Sequence, residues 1–338
     1  MTTEAAPPDP FAPARESGVH RLAIPTPFAV GRVNCYLIED EPLTLVDAGP
    51  NSGSSLDELE TQVRGLGHRL EDIGLVVITH QHIDHIGLVD IVATRSGADV
   101  AALDALVPFV EGYADKAAED DEYAAAIMLR HGIAEDVVSA LRSVSNAFRA
   151  WGSRTKVTRV LHDREPLELR DRSYVVHHRP GHSPTDTVFH DRERRHLLAA
   201  DHLLAHISSN PLIARPAGAS LDPRDRPQSL VTYLESLAAT REMDLDLVLP
   251  GHGDPITDHR SLIDQRFELH TRRAEKIHRL VSERSRTAYE LAQALWGNIA
   301  VTQAYLTLSE ILGHTDILTN EGRVREVEED GVARFEAA

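Results

Sequence analysis

The sequence predicts an α/β fold carrying a helical insertion and a small C-terminal domain of helices closed by a two-stranded hairpin. Three observations lead there. Short Val/Ile/Leu runs bounded by Gly, Asp, Asn or Pro alternate with helical periodicity over residues 21–258. Residues 104–152 are instead rich in Ala, Glu and Asp, with apolar side chains at helical spacing. Beyond Asp258 a long helical pattern gives way to two shorter helices and two alternating segments around Asp330-Gly331.

Taken in order, residues 1–20 are Pro-, Ala- and acid-rich without hydrophobic period and are expected to stay disordered, order beginning at Arg21. Strands are expected at 33–38, 43–46 and 75–79. Helices fall between and after them, one on the spacing of Leu56, Leu59, Val63 and Leu66, another over 86–95. In the insertion, EYAAAIMLRHG and EDVVSALRSVSNAFRAW are helical patterns. Strands resume at 156–161, 173–177, 187–189 and 196–200, followed by a helix over 227–239 and a strand at 245–249. The halves echo each other: TLVDAG and LLAADH are apolar runs ending in Asp, and VVITHQH and LVLPGHG are apolar runs ending in His. The tail, 259–338, places helices at 260–286, 288–295 and 303–312 before the hairpin, the order of a winged-helix unit. Its first helix carries more basic than acidic side chains, yet a packing or dimerisation lobe, with a homodimer as its natural outcome, is the preferred reading over nucleic-acid binding.

Composition narrows the chemistry. The net charge of −18 and a pI near 5.5 oppose association with nucleic acid or anionic membranes. One cysteine, Cys35, excludes an intrachain disulfide, a CxxC pair and any multi-cysteine zinc site. With no membrane-length apolar run and no signal-peptide pattern, the expected location is the cytoplasm. The 19 histidines outnumber the 16 aromatic residues, and imidazole is the commonest protein metal ligand.

Those histidines cluster. THQHIDHIG puts His80, His82, Asp84 and His85 within six residues, directly after an expected strand. A tight loop at a strand end lets His80 and His82 converge on one ion while Asp84 and His85, entering a helix, face a second position. A polar loop that merely hydrogen-bonds itself is the weaker alternative, since four such groups without a cation compete for donors. One loop cannot surround two ions, and three more candidates stand at other strand-to-loop junctions: His182 in RPGHSP, Asp201 in LLAADH and His252 in LPGHGD. Asp201 has two oxygens with which to bridge cations, and Gly181, Gly251 and Gly253 permit the turns. Of the rest, most of His177, His178, His190, His196, His259, His270, His278 and His314 are read as surface or capping residues, and His202 and His206 as loop residues in preference to pocket lining. Tyr123, Met128 and His131 are assigned to the insertion's core. No G-x-S-x-G elbow, H-E-x-x-H or P-loop is present.

At these residues the chain resembles the metallo-β-lactamase superfamily, whose H-x-H-x-D-H motif is met by His80, His82, Asp84 and His85. The resemblance covers 21 to about 258 and implies an αββα sandwich with the site at one edge of the sheets. It implies that His80, His82 and His182 hold the first metal, that Asp84, His85 and His252 hold the second, and that Asp201 bridges them. Asp47 would support the site from beneath. The Asp at 201 and His at 252 are closer to glyoxalase II-like hydrolases than to true β-lactamases. A catalytic core followed by a winged-helix-like tail resembles the lactamase-beta-2-like branch, which includes thioester hydrolases acting on acyl carriers and some endoribonucleases. The long glutathione-binding helical domain of glyoxalase II is not evident.

The expected enzyme is therefore a binuclear hydrolase with two divalent ions, zinc first, iron and manganese also suiting five His and two Asp. A hydroxide bridging the ions would cleave a thioester or a related activated acyl bond such as a lactone, with Asp84 as the catalytic carboxylate orienting it. A thiolate leaves without strong acid assistance, and no general acid stands out. The substrate would be a small acyl compound, free or carrier-linked; the substrate-binding residues are not assigned. The alternative is a metal-dependent endoribonuclease holding RNA on the basic helix.

Overall fold

Side-chain alternation along the strands builds two faces at once. In the computed structural model, which describes residues 9–215, 218–297 and 303–338, Phe189, Leu198, Leu247 and Leu249 point into a central core while Val188, Leu197, Ala199 and Val248 point outward beneath a helix. The central core lies between two sheets. The first runs β1 (Val19–Ile24), β2 (Val33–Ile38), β3 (Thr44–Val46), β4 (Leu75–Ile78), β5 (Asp99–Leu103), β6 (Arg159–Leu161), antiparallel to β3 and parallel thereafter. The second contains β7 (Pro166–Glu168), β8 (Ser173–His178), β9 (Thr187–Asp191), β10 (His196–Ala200) and β11 (Leu247–Pro250); only β10 and β11 pair in parallel.

Helices cover both outer faces. α2 (Gly53–Gly65), α3 (Ile83–Ile86) and α4 (Val89–Ser96) lie on the first sheet's side, burying Leu59, Val63, Ile86, Val89 and Val92. Ser52 caps α2 by accepting a hydrogen bond from the Ser55 amide at 3.1 Å. On the second sheet, α8 (Ser229–Arg241) buries Leu230, Tyr233 and Leu237. The layers are thus the expected αββα.

The insertion is α5 (Val107–Glu111), α6 (Tyr113–Arg130) and α7 (Glu135–Phe148), closed by a short turn of helix at Arg149–Trp151. It does not pack on itself alone. Tyr123, Ile127, Met128 and Val138 share a core with α9 (His259–Glu283), α10 (Ala288–Trp296), α11 (Ala304–Asn320) and the hairpin β12 (Val324–Glu329)–β13 (Val332–Ala337), where His131 stacks on Phe335. Asp258 caps α9, and Thr287 and Glu290 form a reciprocal capping box on α10. None of the described helices is long and apolar enough to cross a membrane.

Several expectations need correction. Residues 1–8 lie outside the described residues, but 9–20 are not disordered: α1 (Ala12–Glu16) buries Ala14, and β1 starts at Val19. Proline at the second helical position suits this start. The strands β5 and β7 are additional, and α11 runs eight residues beyond 312. His270 and His314, read as surface or capping, are buried and face each other between α9 and α11. His202 is buried as well, hydrogen-bonded to Thr240 at 2.8 Å under α8, whereas His206 sits exposed beside Asp254.

Candidate metal centre

Strand ends place the candidate side chains. β3 and β4 are parallel neighbours, so Asp47, just after Val46, and Thr79-His80, just after Ile78, emerge on the same edge of the first sheet. β10 and β11 are parallel neighbours in the second sheet and deliver Asp201 and His252 to the corresponding edge. The turn from β8 to β9 adds His182. Open α/β sheets collect ligands at such carboxyl ends. The backbone is strained there: Asp47 and Ala200 hold positive φ, 57° and 43°, in a region non-glycine residues seldom enter.

All seven candidates come together in two groups. Ligand atoms of His80, His82, His182 and Asp201 lie within 4.8 Å of one another, and so do those of Asp84, His85 and His252. In the first group His82 Nδ1 is 3.0 Å from His80 Nε2 and 3.0 Å from His182 Nε2. Asp201 lies between the groups. Its Oδ2 is 3.5 Å from His182 Nε2 and 3.6 Å from His252 Nε2, and its Oδ1 is 3.5 Å from His85 Nε2. Asp84 Oδ2 is 3.3 Å from His252 Nε2.

Neighbours fix which ring nitrogen keeps its lone pair. The Thr79 hydroxyl donates to Asp47 Oδ2 at 2.8 Å, so its oxygen can only accept from His80 Nδ1, at 3.0 Å; His80 Nε2 is left as a lone pair. His182 Nδ1 donates to the Asn210 carbonyl (3.2 Å), His252 Nδ1 to the Arg32 carbonyl (2.9 Å) and His85 Nδ1 to Asp47 Oδ2 (2.7 Å). Four imidazoles thus turn Nε2 inward, and His82 turns Nδ1 inward. Three nitrogens about 3 Å apart cannot satisfy one another, because a single hydrogen on His82 serves only one of two lone pairs. Around a tetrahedral zinc at Zn–N of about 2.0–2.1 Å, ligand nitrogens stand about 3.3 Å apart. In the second group His85 Nε2 and Asp201 Oδ1 are both buried without a hydrogen-bond partner and face each other. A divalent cation satisfies these lone pairs; the donor set fits one.

Electrostatics agree. Burial, with the adjacent His182 imidazole, lowers His82 to about 3, and burial with His85 and His82 holds His80 well below the usual imidazole range, so both are neutral ligands at pH 7. Burial also works against a charged His85, but the carboxylates of Asp47 and Asp201 outweigh it and raise that group: the space between them favours positive charge. For Asp84 burial opposes ionisation, but the neighbouring His252 and His85 imidazoles outweigh it and keep the carboxyl ionised. Asp84 and Asp201 are buried, whereas His82 and His182 are half-buried and lie on the more open side of the centre.

Asp47 touches none of the candidate lone pairs. It accepts from the Thr79 amide (3.0 Å), the Thr79 hydroxyl and His85, and so orients His80 and His85 together. Gly251 is needed for space: a Cβ there would lie 2.2 Å from Asp201 Oδ1, while Gly253 supplies a left-handed turn (φ 75°).

Other supporting residues escaped the sequence reading. Asn34 on β2 donates to the carbonyls of Pro250 (3.0 Å) and Gly253 (2.9 Å), and the Tyr36 hydroxyl donates to Pro250 (2.7 Å), bracing the His252 turn. Asp186 accepts from the Ser183 amide (2.9 Å) and hydroxyl (2.7 Å), holding the His182 turn. Asn210 carries the carbonyl that orients His182. Of these only Asp186, in the Ser-x-x-Asp of HSPTD, had a local turn signal. An aromatic group joins the β1–β2 loop to the insertion: Phe28 meets Phe148 and Trp151 at centroid distances of 5.7 and 6.0 Å, and the Trp151 carbonyl accepts from the Asn51 amide at 2.7 Å.

A third group, His270, Glu310 and His314, lies in the C-terminal region. His314 Nδ1 donates to the Glu310 carbonyl at 2.6 Å, leaving Nε2 to accept from His270 Nδ1 at 3.2 Å, and Arg273 pairs with the Glu310 carboxylate. Most of its polar groups answer one another, and only His270 Nε2 is left buried without a hydrogen-bond partner.

Comparison with known proteins matches this geometry to a family. Residues 29–252 match the family model of the metallo-beta-lactamase superfamily. The chain is 31% identical over 315 residues, 93% of its length and 96% of the relative's, to the probable metallo-hydrolase YqjP of Bacillus subtilis (strain 168). Among solved structures it is similar to the metallo-beta-lactamase family protein TTHA1429 from Thermus thermophilus (TM-score 0.78, 25% identity, 95% of this chain and 99% of that one). It is also similar to a beta-lactamase domain protein from Burkholderia ambifaria (TM-score 0.81, 26% identity, 95% and 92%). A sequence match across the catalytic core, a relative matched nearly end to end, and strand ends that converge His and Asp lone pairs on two points together establish that the chain belongs to the metallo-β-lactamase superfamily.

Proposed function

We propose that this superfamily member, a metal-dependent hydrolase, cleaves a thioester or a related activated acyl bond, lactones included, with two divalent ions, zinc first among them. His80, His82 and His182 would hold the first ion, Asp84, His85 and His252 the second, with Asp201 shared. Bound divalent ions supply Lewis-acid polarisation of a carbonyl and acidify water. The chain's own contribution is orientation and proton handling. Asp47 and Thr79 fix His80 and His85, while Asp84, held ionised by its neighbours, holds the attacking water and takes up its proton.

The observation that carries the thioester reading is the commitment of every converging acid. Asp47, Asp84 and Asp201 each face histidines, and His206, the nearby exposed imidazole, pairs with Asp254. Beyond Asp84, which would have to pass on the proton it takes from water, none of these groups is left to protonate a poor leaving group, and a thiolate does not need one. The basic helix offers little to RNA. Arg266 donates to the carbonyls of Leu204, Ala205 and Ile207, Arg273 pairs with Glu310 and Arg272 with Glu268.

A panel of acyl-coenzyme A thioesters, lactones and single-stranded RNA tests the reading. The expected result is acyl cleavage that changes little between about 50 and 200 mM salt, with negligible RNA binding. RNA cleavage with a steep salt slope, flattened by Arg272→Gln with Arg273→Gln and without acyl turnover, overturns it.

A further inference from the structure

The segment that follows Asp201 does two things at once: it orients a metal-site histidine and it is fastened to the C-terminal region. The Asn210 carbonyl accepts the hydrogen of His182 Nδ1 at 3.2 Å, while the Asn210 side chain donates from Nδ2 to the Leu306 carbonyl in the first turn of α11 at 3.0 Å. Three residues on, the Tyr305 hydroxyl donates to the Ile213 carbonyl at 2.5 Å, and the Ile213 amide donates to Ser309 Oγ at 3.3 Å. The Ile213 side chain is buried in the core shared by the insertion and the C-terminal helices. Farther along, Arg226 makes a two-pronged pair with Asp316 on α11, both contacts 2.6 Å and both partners buried. Residues of α11 from 305 to 316 therefore hold Asn210, Ile213 and Arg226.

We propose that α11 is the outer support of the metal centre, with Asn210 and Tyr305 as positioning residues: the C-terminal helix holds the carbonyl that aims His182 at its ion. The inference rests on the reading of His182 as a ligand. The physical case is one of pairing. A ligating imidazole keeps its lone pair inward only while its other nitrogen has a fixed acceptor, and loss of such an acceptor typically weakens metal affinity by roughly 10–100-fold. Here the acceptor is a main-chain carbonyl on an irregular segment, and an irregular backbone moves unless something outside holds it. His80 and His85 take their orientation from Thr79 and Asp47 inside the αββα core, and His252 from the Arg32 carbonyl next to β2. Among the four imidazoles oriented through Nδ1, only His182 depends on a segment tethered to α11. The C-terminal region then bears on catalysis without touching substrate.

The test uses the full-length protein loaded with zinc and follows release of each equivalent to an excess chromogenic chelator. Asn210→Asp preserves size but replaces the donor that reaches Leu306 with an acceptor, and Tyr305→Phe removes the hydroxyl alone. Both variants are expected to release one equivalent at least tenfold faster than wild type while the other leaves at the wild-type rate. With cobalt in place of zinc, the visible absorption of the first-filled site is expected to shift in the same variants, a readout that loss of general stability does not produce. Asn210→Gln, which retains an amide donor, is expected to recover part of the slower release. Wild-type release and an unchanged cobalt spectrum in a folded Asn210→Asp, Tyr305→Phe double variant overturn the proposal. A wild-type chain that takes up less than one equivalent overturns instead the metal reading on which it stands.

Discussion

At the ends of β4 and β8, His82 Nδ1 stands 3.0 Å from both His80 Nε2 and His182 Nε2; between α9 and α11, two imidazoles approach to 3.2 Å beside a carboxylate. Both clusters are buried and both combine His with an acidic side chain. What separates them is the direction of the hydrogens. At the strand ends, outward donors to Thr79, Asn210, Arg32 and Asp47 leave lone pairs pointing at one another, an arrangement that needs a cation. Between the helices, the same kind of donor leaves one lone pair facing one hydrogen and the carboxylate already has Arg273; His270 Nε2 alone stays unpartnered, with no second lone pair set against it by a neighbour's donor. Proximity of ligand-type residues is the weaker criterion; the tautomers imposed by their neighbours decide.

The largest effect that sharpens this contrast is at the strand ends. Asp84→Ala is expected to lower kcat/KM by at least about a thousandfold, a barrier increase of about 4 kcal/mol, with little change in the unfolding midpoint. Retention of activity within about tenfold removes Asp84 from the chemistry. Next, Asp47→Asn keeps the volume and tolerates the positive φ but cannot accept from Thr79 and His85 as a carboxylate does. Metal affinity, measured by chelator competition, is expected to fall roughly 10–100-fold.

Between the helices the expected effects are on stability. His314→Gln breaks the chain from His270 through His314 to Glu310 and is expected to cost about 1–3 kcal/mol in denaturant unfolding, with metal content and kcat/KM unchanged. The smallest effect is in pH. Burial lowers His270 and His314 to about 4, against about 6.5 when unfolded. Between these values the unfolded chain binds protons that the native one does not, so stability rises with pH from about 4 to about 6.5 and levels off above. His314→Gln is expected to make that slope shallower; an unchanged slope removes His314 as one of its sources.

The contrast also explains what the sequence made legible. Six of the seven candidate residues sit where an apolar run stops, a signal confined to a few neighbouring positions, so THQHIDHIG, LLAADH and LPGHGD stand out without knowledge of contacts, while His182 is marked by the turn RPGHSP that follows β8. Asn34, which braces the His252 turn from 216 residues away, has no such local mark; its role exists only once β2 lies beside β11's exit. β1 escaped because VHRLAI alternates weakly, and β5 and β7 because five and three residues are too few for a period. His270 was within reach. It falls on the stripe Ile263, His270, Ala274, Ile277, Val281, whose steps of seven, four, three and four mark the buried face of α9. His314 had less to distinguish it, because α11 is buried on nearly every side from Leu308 to Leu318.

Metal counting tests the central claim most directly, made by elemental analysis on protein purified without chelator and reloaded with zinc, for the wild type, Asp201→Ala and a His270→Gln, His314→Gln double variant. Two equivalents in the wild type and in the double variant, with a clear loss in Asp201→Ala, are the predicted result. Less than one equivalent in the wild type, or a loss confined to the double variant, contradicts the account.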